Sequence, residues 1–189
     1  MLARARSAAR TAAAAAILAS SATAGGADPA APFHCEAPGG DYTPTPLADA
    51  RRTLAARIRL TATERDRTWA PTAGLLFVLG DKRHAGVQVY VPVERPDGLL
   101  IGLRRPGTDR PEVFARTALN APVDVEARLD DNGLLTVAAG TITKSVRLKG
   151  AAATGAILMC SSGAFTFERL SPPPEATIDG GTDPASSTD

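Results

Sequence analysis

The sequence predicts an all-β protein, a two-sheet antiparallel sandwich of about ten short strands. Three observations carry that expectation. Apolar and polar residues alternate with period two in most stretches between Leu54 and Leu170, which marks strands with one buried and one wet face. The stretch from Pro122 to Ile142 holds two such runs around Asp131-Asn132-Gly133, which is hairpin chemistry. Turn signals recur about every 8 to 12 residues, and no convincing helical period lies between them.

In chain order, Leu54, Ala56, Ile58, Leu60 and Ala62 alternate with Ala55, Arg57, Arg59 and Thr61, giving a first strand. A short helix over Leu47–Ala56 competes with its start, since alanine and arginine are good helix formers. Thr63–Pro71 reads as a charged loop, and Gly74–Gly80 as a continuous apolar run suited to a strand buried on both faces. After a turn at Asp81–His84, Val87, Val89 and Val91 alternate with Gln88 and Tyr90. Leu99, Ile101 and Leu103 then form an antiparallel neighbour across the Pro96-Asp97-Gly98 turn. A shorter strand over Glu112–Arg116 follows the Pro106-Gly107 turn. Beyond the hairpin, Ile142–Leu148, Ala156–Cys160 and Ala164–Leu170 read as three further strands.

The hairpin register follows from matching faces. A two-residue Asn132-Gly133 turn would set Leu135 opposite Asp130 and Val137 opposite Arg128, mixing apolar and charged sides. A three-residue loop with Gly133 left-handed sets Leu129 opposite Leu135, Ala127 opposite Val137 and Val125 opposite Ala139. Asp124, Glu126 and Arg128 then share the other face.

The chain opens with a tripartite leader: Arg4, Arg6 and Arg10, an apolar run over Ala12–Ala19, and the small residues Ala22-Thr23-Ala24. This is the pattern of a secretory signal peptide, and its apolar run is too short to span a bilayer. The lack of acidic residues before Asp28 also fits a mitochondrial transit peptide; two cysteines favour export. Cys35 and Cys160 are the only cysteines, so one disulfide joining the two ends of the fold is expected. Loss of the leader removes three arginines and takes the formal charge from +1 to −2, which does not suggest a nucleic-acid partner. The expected organisation is a signal peptide over residues 1–27, an irregular Pro/Gly-rich arm carrying Cys35 over 28–53, one sandwich domain over 54–170, and a disordered tail over 171–189. The mature protein is thus expected to be secreted or periplasmic, without a membrane span.

Four stretches carry a family resemblance: Gly74-Leu75-Leu76-Phe77, Val123–Arg128, Leu134-Leu135-Thr136-Val137 and the closing Gly163–Leu170. Together they resemble the concanavalin A-like lectin/glucanase (jelly-roll) superfamily, over roughly Leu54 to Leu170. The resemblance implies two curved antiparallel sheets with ligand met on the concave face. It lies in strand pattern and final aromatics, so it speaks to fold before function.

Asp124 and Glu126 fall on one strand face about 6 to 7 Å apart, near the carboxylate spacing of glycosidases. Hydrolases of the resembling family that place acids at alternate strand positions typically have three, whereas Pro122 and Arg128 occupy the flanking positions here. A solvated charged face explains the pair more simply. Arg57, Arg59, Gln88 and Tyr90 occupy outward strand positions, with Trp69 and Tyr42 reaching in from loops; an aromatic plane among polar side chains is how many proteins hold sugars. Trp69 beside Pro71 also suits a plug closing the end of the sandwich. Asp130-Asp131-Asn132 lacks the remaining ligands of a calcium loop, and His34, His84 and the two cysteines lack zinc spacing. No phosphate loop, nucleophile elbow or catalytic triad is visible, so no cofactor or metal is expected. The function expected is non-catalytic binding of a glycan or an envelope protein; a polysaccharide hydrolase or lyase and a structural or assembly module are the alternatives.

Overall fold

The computed structural model describes residues 31–48, 52–64 and 69–172. The expected signal peptide, the start of the arm and the tail beyond Pro172 lie outside these residues. Ten antiparallel strands are present among them: β1 (Phe33–Pro46), β2 (Thr53–Thr63), β3 (Thr72–Leu79), β4 (His84–Tyr90), β5 (Leu99–Arg104), β6 (Glu112–Thr117), β7 (Val123–Leu129), β8 (Leu134–Ala139), β9 (Ile142–Arg147) and β10 (Ala153–Ser171). They form one continuous sheet in the order β6-β5-β4-β3-β10-β2-β7-β8-β9, with β1 added along β10. This sheet folds over on itself as a β-sandwich. The first half of β10 pairs β3 through residues 153–161, and its second half pairs β2 through residues 163–171. β4 thereby lies against β7 and β8 across the interior.

Two expectations are corrected here. The Pro/Gly-rich stretch is not an irregular arm: Phe33–Pro46 is a strand that follows β10 through both of its halves. Prolines are tolerated because β1 is an edge among the described residues, with one side bonded to β10 and no ladder partner on the other. Its register shifts between Ala37 and Tyr42, where Pro38, Gly39 and Gly40 sit. The second correction concerns the last two expected strands, which are one 19-residue strand. At the bend the buried Ser162 turns left-handed, with φ of 51°, and its hydroxyl accepts a hydrogen bond from the Gly40 backbone N–H at 3.1 Å. The two strands therefore turn the corner together. No helix starts at Leu47; its N–H instead continues the β1 ladder to the Ala156 carbonyl at 2.9 Å.

The hairpin takes the expected three-residue loop, with Leu129 opposite Leu135, Ala127 opposite Val137 and Val125 opposite Ala139. Gly133 has φ of 73°, a conformation that favours glycine. Asp130 Oδ1 accepts from the backbone N–H of Asn132 at 2.9 Å and of Leu134 at 2.7 Å. That carboxylate is a turn cap, which explains an acid there without a metal.

Phe77, Phe165, Phe167, Leu75, Ile58 and Leu135 are among the fully buried side chains between the layers, each stabilising by about 1.5–3 kcal/mol. Phe33 covers one end, its ring edge-on to Phe167 at 6.5 Å. The disulfide joins Cys35 on β1 to Cys160 on β10, with Cα atoms 6.1 Å apart at a sequence separation of 125. Cys35 lies opposite Phe165 in the second half of β10, whereas Cys160 is in the first. The bond ties the two halves together across the corner.

At the far edges, Glu112 on β6 meets Lys144 on β9 at 2.5 Å. The Lys144 ammonium, first by its hydrogen bond, holds the Glu112 carboxyl below its ordinary value of 4.5, with Arg105 adding a smaller pull. The folded state therefore binds this proton less readily than the unfolded one, so the pair's contribution to stability is present above pH 4.5 and is lost as pH falls through the lower folded value. Glu112→Gln should lower the urea midpoint at about pH 7, and the difference from wild type should shrink as pH falls below 4.5. A difference that persists undiminished at the acid end would contradict this assignment.

Candidate functional site

The layer made of β3 to β6 with the first half of β10, here the first layer, carries on its outer face a groove of about 900 Å³ over β3, β4, β5 and β10. Its origin lies in the sheet register. Gln88 on β4 sits opposite Gly74 of β3 on one side and Gly102 of β5 on the other, so neither cross-strand neighbour adds a side chain of its own, and Pro111 and Met159 pack over the two glycines. The floor is made by Gln88, Leu76, Met159 and Ser161. Gln88 is 9% exposed, and its amide Nε2 donates to Met159 Sδ at 3.5 Å. A thioether is a weak acceptor, so this donor is readily given over to a better one.

Aromatic side chains stand around that floor. Trp69, 50% exposed, and Tyr42, 42% exposed, line the groove together with Tyr90. The three reach it from separate elements: Trp69 from the connection before β3, Tyr42 from β1 beyond its register shift, and Tyr90 from the end of β4. Burial pushes both phenols up, with nearby Arg110 drawing Tyr90 partly back. At neutral pH both are hydroxyls that can donate as well as accept. On the remaining side Arg104, Asp109 and Arg110 come from the end of β5 and the β5–β6 connection, and Arg104 Nη1 donates to the Asp109 carbonyl at 2.9 Å.

The structure thus brings together Gln88, Tyr90, Trp69 and Tyr42. It separates them from Arg57, Arg59, Asp124 and Glu126, which also face outward but from β2 and β7 in the second layer. There a shallow dent of about 230 Å³ holds Arg57, Asp124, Glu126 and Arg169. Arg57 Nε lies 3.8 Å from Asp124 Oδ1, and Arg128 is paired with Glu126. Asp124 and Glu126 keep 59% and 35% of their side-chain surface exposed. Two carboxylates each engaged by an arginine and open to water lack the burial a glycosidic general acid uses. Arg59 is exposed on β2, opposite Thr166.

Residues of the groove that period-two reasoning missed are Met159, Ser161, Arg104, Asp109 and Arg110. Met159 and Ser161 lie in an apolar run that hides its outward positions. The pairing of Gln88 between glycines was the one available signal for the floor. Of the histidines, His34 is on β1, its Nδ1 3.3 Å from the Thr166 hydroxyl, and His84 opens β4 at the groove's edge.

No family model matches this chain and no curated protein matches it. Among solved structures it is similar to a carbohydrate-binding module from Bacillus subtilis, at 10% identity and a TM-score of 0.44, over 72% of this chain and 83% of that one. It is also similar to an alginate lyase from Pseudomonas aeruginosa, at 15% identity and a TM-score of 0.44, over 68% of each chain.

Proposed function

We propose that this protein is an exported, non-catalytic β-sandwich domain of the concanavalin A-like jelly-roll type that binds glycan in the groove over β3, β4 and β10. The observation that carries the proposal is the conjunction of a half-freed carboxamide at the floor with three aromatic rings around it. A pyranose presents apolar C–H surface on its faces and hydroxyls at its rim. Rings stack on the former, while Gln88 and the phenols of Tyr42 and Tyr90 meet the latter. The volume of about 900 Å³ is at the upper end of the range for small-ligand sites, and so suits an oligosaccharide. Export rests on the tripartite leader and on the disulfide, which persists in oxidising compartments.

Trp69→Ala and Gln88→Ala test the reading. Calorimetric titration with a glycan identified on an array should show each variant weakened by about tenfold or more, the scale of one stacked ring or one buried hydrogen bond. Arg59→Ala, on the other layer, should bind as wild type. An affinity unchanged in Trp69→Ala and Gln88→Ala, or lost in Arg59→Ala, would move the site away from the groove.

A further inference from the structure

A second depression, of about 630 Å³, lies at the end of the sandwich, between the β3–β4 turn and the β5–β6 and β9–β10 connections. Four of its lining residues are cationic, Arg83, Arg105, Arg147 and Lys149, against the single acid Asp81. Asp81 is already taken: its carboxylate accepts from Arg83 Nε at 2.5 Å and from the Arg83 N–H at 3.1 Å. Arg105 has one acidic neighbour, Glu112 at 3.9 Å, and Glu112 makes its short contact with Lys144. Arg147 spends Nη1 on the Asn132 carbonyl at 2.9 Å, and Lys149 has no ion pair among the described residues. Positive charge from Arg105, Arg147 and Lys149 is therefore concentrated and poorly compensated in a chain whose total formal charge is +1.

Residues adjacent in the chain line the cleft and the aromatic groove. Arg104 and Asp109 line the groove while Arg105 and Thr108, their chain neighbours, line the cleft; His84 and Arg83 divide in the same way. No aromatic residue lines the cleft, so it offers no platform for stacked bases. What it offers is guanidinium forks and an ammonium, which match carboxylate and sulfate oxygens.

We propose that this cleft receives the carboxylate or sulfate group of an acidic oligosaccharide whose adjoining sugar lies in the aromatic groove. The inference rests on the glycan reading of that groove and names its ligand class. An array of neutral, uronate-bearing and sulfated oligosaccharides, probed with the mature protein, is the first test; titration of the double variant Arg105→Ala/Lys149→Ala is the second. The strongest ligands should be acidic, and the double variant should bind them about tenfold or more weakly, the loss expected for one or two charge-assisted contacts. Neutral oligosaccharides should bind the double variant as they bind wild type. Raised salt should weaken the acidic ligands in wild type, because the cations are exposed. Strongest binding to neutral glycans, or acidic binding untouched by the double variant, overturns the cleft while leaving the groove reading in place. Competition by inorganic sulfate alone at the concentration effective for the oligosaccharide would mark an anion site without sugar recognition and also overturn it. No binding to any glycan would sink both.

Discussion

Removing the disulfide is expected to cost up to about 5 kcal/mol of stability. Cys35 and Cys160 close a loop across 125 residues, nearly the whole described chain, and in the chain-entropy account the stabilisation grows with the logarithm of loop length. The position matters as much as the length. Among the described residues β1 has no strand on its outer side, so its hold on the fold is the ladder to β10, and that ladder is interrupted between Ala37 and Tyr42. Cut the bond, and β1 is held by two short ladders joined through the Pro38–Gly40 bend. Cys35→Ala/Cys160→Ala should therefore unfold at a much lower denaturant concentration. Hydrogen exchange should show β1 losing protection ahead of β7 and β8, which lie at some distance from it in the sheet. A double variant within about 1 kcal/mol of wild type, with β1 protected as before, would show that the strand ladder holds the corner unaided.

How far the sequence anticipated this structure depends on which scale of interaction set each feature. The β7–β8 hairpin was legible to the residue, because its determinants are local: Asp130 caps the turn, Gly133 takes the left-handed position, and period two assigns the faces. β1 was not, because proline and glycine obscure the alternation of Cys35 and Ala37. An edge strand needs only one ladder, which those residues can provide. The break read between Ala156–Cys160 and Ala164–Leu170 is a bend within one strand, stabilised by the Gly40–Ser162 hydrogen bond between residues 122 apart. No window of sequence contains that contact. The same scale separates the expected site residues. Gln88 and Arg57 both alternate with valine or isoleucine and both face outward. Only the sheet order, which puts β3 and β2 on opposite halves of β10, decides that they face away from each other. Tyr42, Trp69 and Tyr90 were legible as aromatics with a polar handle, but their convergence was not, since it requires β1 to be a strand.

Gly86→Ala should destabilise the protein by about 3 kcal/mol or more and take the binding groove with it. Gly86 lies on β4 opposite Leu76 of β3 and Arg104 of β5. A Cβ at this position would come within 2.2 Å of the Leu75 carbonyl oxygen and 3.0 Å of the Leu76 Cα. These are backbone atoms at the centre of a layer, so relief cannot come from turning a side chain; β3 and β4 must move apart. Two residues along the same face is Gln88, and Leu76 is part of the groove floor. A shift that accommodates the methyl therefore displaces both floor residues relative to Met159 on β10. Gly155→Ala provides the control, because its Cβ would meet only Val78 side-chain atoms at 3.9 Å or more, and it should stay within about 0.5 kcal/mol of wild type. Denaturant midpoints and glycan titration on the two variants separate the outcomes. If Gly86→Ala keeps wild-type stability, β3 and β4 can part at no cost and the close approach is not a constraint. If it loses stability yet binds glycan normally, the floor of the groove is not where the ligand is held.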